Sequence, residues 1–281
     1  MFPQSLKIMS CGLITTAVTV LLSAILGFKF FTISIGIFLP IGAVITGIIA
    51  ASGFYFGSIY FNKRPEVTLL LQMVIFTAIA QISIYFLEYS LAIFENGEKV
   101  SDFIPFRHYM SFILTNSTYS LGTGARETDL GTMGDFGYLI AVIQFIGFML
   151  GGACIYLILR AKSFCEECNK YYKKVATINK YFKTHEELIN YQNSLATSPI
   201  GSAEYFAAIS YDCQLNARSK YFFYHKSILH ACPQCKNQIL EEKTYQMDKK
   251  NMPVAIDGLS RKVQVQKNIP LIDLFIKYKK N

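Results

Sequence analysis

Tryptophan is missing from this 281-residue chain altogether, and charged side chains make up only 16% of it. So little charge, beside 52% hydrophobic residues and a mean hydropathy of +0.31, excludes a disordered chain, a collagen and a water-soluble enzyme of ordinary composition. Without tryptophan, an aromatic belt at a membrane surface falls to tyrosine, and Tyr60, Tyr85, Tyr89, Tyr138 and Tyr156 stand near the ends of apolar stretches. Motifs of chemistry are lacking too. The chain has no Ser-His-Asp order, no phosphate-binding glycine loop and no HExxH, so hydrolase and nucleotide-cleaving readings have no site.

Formal charge is absent from four whole blocks, residues 8–28, 30–62, 67–87 and 136–159. About 20 helical residues, rising ~1.5 Å each, cross the ~30 Å hydrocarbon layer of a bilayer. Each block is long enough, which predicts four transmembrane helices near 8–28, 40–61, 67–88 and 137–159. Buried helices of a soluble core would need amphipathic partners, and this half of the chain offers none. The same lack of intramembrane charge argues against a charge-coupled carrier, with Glu66 and Glu88 standing only at span ends. A channel needs no such charge and survives the test. Gln72, Gln81 and Gln144 suit hydrogen bonds between helices.

The second block exceeds what a bilayer needs, so residues 30–39 read as a link, with Pro40 near the start of the helix. Within that helix, Ala43 with Gly47 and Gly53 with Gly57 repeat at four-residue spacing. Stacked small residues let another helix backbone approach, either inside one bundle or in an oligomeric or pore-lining contact, and a homo-oligomer is expected.

Residues 1–160 hold 8 Lys/Arg and 8 Asp/Glu, whereas 161–281 hold 19 and 11, so the net charge of +8 belongs to the second part. Lys7, Lys63, Arg64 and the cluster from Arg160 to Lys174 flank the spans on one side. Basic flanks stay in the cytoplasm, which predicts an integral protein of the inner (plasma) membrane of a bacterium with both termini cytoplasmic and residues 89–135 outside. The first span has no small-residue cleavage site behind it and reads as an uncleaved signal anchor. The outer segment holds an aromatic run, 103–114, expected as an interfacial helix. A glycine-punctuated stretch, 121–137, is expected as a loop with possible ligand contacts. His108 reads as a polar loop residue. Asn116-Ser117-Thr118 matches a glycosylation sequon, which carries little weight alone.

The sharpest chemical signal follows the fourth span. Cys165-Glu166-Glu167-Cys168 is matched by Cys232-Pro233-Gln234-Cys235. Two such pairs can set four thiolates tetrahedrally around one Zn2+, because two intervening residues let the backbone turn and aim both sulfurs inward. The pairing resembles the zinc-ribbon and rubredoxin-like class of knuckles. The likeness covers the two motifs only, and 63 residues separate Cys168 from Cys232, against about 15–20 in the familiar spacing. Structural zinc is favoured, with redox-active dithiols and a rubredoxin-like iron site as the competing readings. No CxxC lies in a span or outside, which disfavours a membrane thiol/quinone oxidoreductase. His225 and His230 near the second knuckle read as strand residues before ligands. Cys213 reads as a helix residue, and Cys11 and Cys154 as small apolar residues of spans.

The excess between the knuckles is expected to be helical: residues 169–195 as one helix, then a second capped by Ser202 and running through Asn216. Strands are expected over 221–230, 242–247 and 261–266. On the first of these helices Lys170, Lys173, Lys174, Lys180 and Lys183 recur near helical spacing. They suit anionic lipid headgroups first, and nucleic acid or a nucleotide second, because Tyr171, Tyr172, Tyr181 and Phe182 interleave them. The expected whole is a four-helix membrane protein over 1–160 with a cytoplasmic α+β zinc-ribbon-like domain over 161–281. Its expected role is a non-enzymatic sensor or adaptor that meets membrane lipids and a cytoplasmic protein partner. A gated channel or membrane-perturbing effector is the main alternative.

Overall fold

The computed structural model describes residues 4–25, 33–34, 39–121, 128–210, 222–248, 250, 252–265, 267 and 269–279. The chain divides into two compact units, Met1–Lys162 and Ser163–Asn281.

The first unit is built on α1 (Gln4–Ile25), α2 (Ile41–Tyr60), α3 (Val67–Leu91) and, beyond a shorter helix, α5 (Phe136–Ala161). By length and composition all four can cross a membrane. Central α2 packs on both α1 and α5, and α5 on α3. The small residues of α2 set this arrangement. Ala43 is fully buried, and a side chain added at Gly47 would overlap the Phe148 carbonyl of α5. One added at Gly53 would overlap the Cys11 carbonyl of α1, and Gly57 lies against Ile8 and Cys11. The two small-residue pairs thus serve two different neighbours within the same chain. Thr15 completes the α1 seam, donating to the Ala50 carbonyl (2.8 Å) and accepting from the Gly53 N–H (3.0 Å). Tyr85 donates to Gln144 Oε1 across α3 and α5 (3.2 Å), the kind of side-chain bond expected between apolar helices.

Two of the expected belt tyrosines face inward instead. Tyr89 and Tyr156 are buried, whereas Tyr60 is 79% exposed. The Tyr89 hydroxyl is taken up by the Ile104 carbonyl (2.7 Å), which fastens the segment that follows α3 to the end of that helix. That segment forms α4 (Phe106–Asn116), β1 (Thr118–Leu121) and β2 (Thr128–Thr132). Its helix starts later than the aromatic run because Pro105 occupies the N-cap and cannot continue a helix toward its N-terminal side. Strand β1 ends at Leu121, where the stretch expected as a loop begins, and pairs antiparallel with β2, which lies inside that stretch; residues 122–127 between them lie outside the described residues.

The second unit opens with β3 (Phe164–Cys165) and β4 (Lys170–Tyr171), continues through β5 (Lys173–Phe182), α6 (His185–Thr197), α7 (Ala203–Ser210), β6 (Phe223–Ala231) and β7 (Gln238–Met247), and closes with β8 (Pro253–Ala255), β9 (Arg261–Val265) and α8 (Leu271–Lys279). Strands β5, β6 and β7 form an antiparallel sheet, with β8 and β9 both paired to the free side of β7.

The single helix expected over 169–195 is not formed. Asn169 turns the chain with φ of 49°, and 173–182 is a strand whose even positions, Ala176, Ile178, Lys180 and Phe182, are buried. The β-branched Val175, Thr177 and Ile178 suit a pleated surface better than a helix. Helix begins only at Thr184, whose side chain accepts from the Glu187 N–H while the Glu187 carboxylate reaches back to the Thr184 N–H, a reciprocal capping box. Ser202 caps α7, accepting from the Tyr205 N–H (3.1 Å); the expected continuation from 211 to 216 lies outside the described residues, as does Cys213. Strand β7 begins four residues before its expected start, immediately after the second knuckle.

One face of the sheet buries Ala176, Ile178, Phe182, Leu229, Leu240 and Val265 against Leu188, Leu195, Tyr205, Ile209, Leu271 and Phe275 of the helices. This layer is the core of the unit, and each large side chain buried in it contributes roughly 1.5–3 kcal/mol.

Candidate metal centre

Both knuckles are made by the same local geometry. In the first, Cys165 lies opposite Lys170 in the β3–β4 hairpin, and Asn169 holds the left-handed conformation. In the second, the Cys232 N–H donates to the Asn237 carbonyl (2.8 Å), and Lys236 is left-handed with φ of 61°. In each case the residue directly after the second cysteine turns the chain so that both sulfurs point to one side. Asn tolerates this conformation; Lys236 holds it at a cost of about 1–2 kcal/mol.

The sulfurs of Cys165, Cys168, Cys232 and Cys235 all lie within 4.8 Å of one another, with Cys165 and Cys235 at 3.6 Å. Four thiolates at ~2.3 Å from one ion in a tetrahedron stand about 3.8 Å apart, so the observed set fits a metal. All four are free thiols. Cys165 and Cys232 are buried, and Cys168 and Cys235 are half-buried.

Electrostatics point the same way. Burial pushes the Cys232 thiol up, but N–H groups of Cys235 and Gln234 more than offset it and bring it to about 7. Burial and the sulfurs of Cys235 and Cys232 push Cys168 up to about 12. Four sulfurs this close cannot all ionise against one another; a cation at their centre removes that repulsion and displaces the protons. The set is also closed, since four sulfurs complete a tetrahedron and leave no position for a substrate. Around it, burial and then the Cys165 thiol push the Tyr172 phenol up, and Lys267 pairs with Glu167 of the first knuckle (2.8 Å).

The other sequence-predicted residues are placed elsewhere. His230 pairs with Glu241 (3.3 Å), and His225 lies in the core with its Nδ1 3.0 Å from Thr244 Oγ1; neither belongs to the sulfur cluster. The five lysines do not share a helical face. Lys170 is on β4, while Lys173, Lys174 and Lys180 are on β5, with Lys183 beyond its end. Lys173, Lys174 and Lys183 are exposed, but Lys180 occupies an inward strand position and is only 6% exposed.

A second polar group went unread in the sequence. On the buried side of the sheet, Glu242 receives Arg261 Nε and the Tyr205 hydroxyl, and Thr244 Oγ1 receives Gln192 Nε2. Glu242, Arg261, Gln192 and His225 line a cavity of about 190 Å3 together with Leu195, Ala196, Gly258, Leu259 and Ser260. The one signal for it is that inward positions of β7, set by period two from Leu240, are Gln238, Glu242 and Thr244 rather than apolar residues.

The assignment of the centre rests on this geometry: no protein-family model, curated protein or solved structure matches the chain.

Proposed function

We propose that the chain is a non-enzymatic, multi-pass membrane sensor or adaptor. Its C-terminal domain is folded around one Zn2+ held by Cys165, Cys168, Cys232 and Cys235, and it faces the cytoplasm, where it engages a protein partner. The observation that carries this reading is the closed tetrathiol set, drawn from two hairpins 63 residues apart. Soft thiolates favour zinc, and a closed set cross-links the domain instead of activating water or substrate. The basic flanks of the spans support the cytoplasmic side. Lys173, Lys174 and Lys183 supply attraction to anionic headgroups of about 1 kcal/mol each. A homo-oligomer remains part of the proposal, formed through surfaces other than the two small-residue pairs.

Elemental analysis of the purified full-length protein tests it. One zinc per chain is expected, lost in Cys165→Ser and in Cys232→Ser, with no ion flux after reconstitution into liposomes. Stoichiometric iron, quinone-coupled dithiol turnover or selective flux would each replace this reading with a different one.

A further inference from the structure

The cavity beside His225 has a donor and acceptor pattern that its own walls do not satisfy. Thr244 Oγ1 accepts from Gln192 Nε2 and donates to the Leu259 carbonyl (3.3 Å). A hydroxyl has one proton and two lone pairs, so His225 Nδ1 at 3.0 Å carries the ring hydrogen where the Thr244 proton goes to Leu259, and accepts that proton where it turns to the ring. His225 Nε2 is a bare acceptor in the first tautomer and an N–H donor in the second. It is buried with no hydrogen-bond partner among the described residues, in a residue only 3% exposed. Glu242 Oε1, an acceptor, stands 4.0 Å from it. Arg261 Nη2 is a buried donor without a partner among the described residues. All three residues line one cavity, and they offer two acceptors and a donor in one tautomer, two donors and an acceptor in the other; either set calls for a ligand in which N–H stands next to a carbonyl.

Charge and size narrow the class. Among the residues that line the cavity, Glu242 and Arg261 offset each other and burial holds His225 at about 4 and hence neutral at pH 7, so the lining itself has no net charge for a lone anion or cation; buried Lys180, opposite His225 on β5, lies outside that lining. Leu195 and Ala196 of α6 and Leu259 supply the apolar part of the lining, which suits the faces of a ring. At ~30 Å3 per water, 190 Å3 is about six waters, below the ~300 Å3 at which drug-sized pockets begin. A one- or two-ring head group fits; a whole nucleotide does not.

We propose that this cavity binds a neutral, planar heterocycle through a lactam edge, the chemistry of an oxopurine or oxopyrimidine base, taken either free or as the head of a larger molecule. The inference deepens the sensor reading and rests on it for the purpose of the site: the domain clamped by the metal would be the one that detects the ligand.

The test uses the full-length protein in nanodiscs, titrated by calorimetry with guanosine, uridine, adenosine, free guanine and inorganic phosphate. Guanosine or uridine is expected to bind at least tenfold tighter than adenosine, whose edge lacks the carbonyl, and phosphate not at all. Free guanine matching guanosine would assign the base itself, and tighter guanosine a larger molecule that extends outward. His225→Phe keeps the ring packing but removes the polar ring atom, and is expected to weaken binding tenfold or more. Ala196→Trp fills the mouth from an exposed position and is expected to abolish binding, with melting temperature and metal content unchanged; it decides the matter even where His225→Phe misfolds. Phosphate binding alone, no nucleoside binding, or binding indifferent to Ala196→Trp would overturn the proposal. Metal content and flux, measured separately, report on the sensor reading, so either can fail without the other.

Discussion

At the scale of the residue, His225 makes a sharp prediction about acid. Burial holds its imidazole at about 4 against the opposing pull of Glu242, while the unfolded chain titrates near 6.5. Arg261, Tyr191 and the neighbouring strand's Lys180 also face it. Below about 6.5 the unfolded state binds a proton that the folded state refuses, so stability falls with pH through this window and is lost fully near 4. The loss amounts to about 3 kcal/mol at most. Denaturant unfolding of the full-length protein at stepped pH values should show it, and His225→Phe should flatten that part of the profile. None of this was legible in the sequence. His225 there is one histidine in a run of mixed strand residues, and its partners Thr244, Glu242 and Gln192 are brought to it only by strand register and by α6. The cysteines were legible because a CxxC knuckle needs only its own turn, and the left-handed residues Asn169 and Lys236 complete it within a single hairpin.

At the scale of the element, the capping box at Thr184 decides where β5 ends and α6 begins. Thr184→Ala leaves the N3 amide without its acceptor and is expected to cost about 1 kcal/mol, read as a shift in the unfolding midpoint. Glu187→Gln keeps the reciprocal bond and should cost less. The signature Thr184-His185-Glu186-Glu187 was present in the sequence and marks a helix start, which contradicts a helix already running from Asn169. Lysines and tyrosines at 170–183 recur at spacings that fit a helix or a strand, and the burial of alternate residues, which separates the two, depends on partners far along the chain. The four long apolar helices carried no such ambiguity. Their length and lack of charge are local properties, and even the small residues of α2 announced a close contact, though which neighbours Gly47 and Gly53 would meet depended on the bundle.

At the scale of the whole molecule, the two units draw stability from different sources. Apolar helices hold their own backbone hydrogen bonds, whereas the second unit is a small domain whose knuckles would close a long loop through the proposed metal. Removing the ion leaves four crowded sulfurs and a 63-residue loop to be closed without help. Chelation is therefore expected to unfold residues 163–281 while the helical signal of α1, α2, α3 and α5 persists, so hydrogen exchange should rise in the second unit alone. Simultaneous loss of both would argue that the helices depend on the domain.

The distance between the knuckles also bears on synthesis. A ribosome adding about 5–20 residues per second needs roughly 3–13 s to travel from the first cysteine pair to the second. Throughout that interval the emerging chain presents half a coordination shell, able to capture a thiophilic ion weakly but not to close around it. Loading of the proposed metal thus waits until Cys235 clears the exit tunnel and the earlier pair finally meets its counterpart.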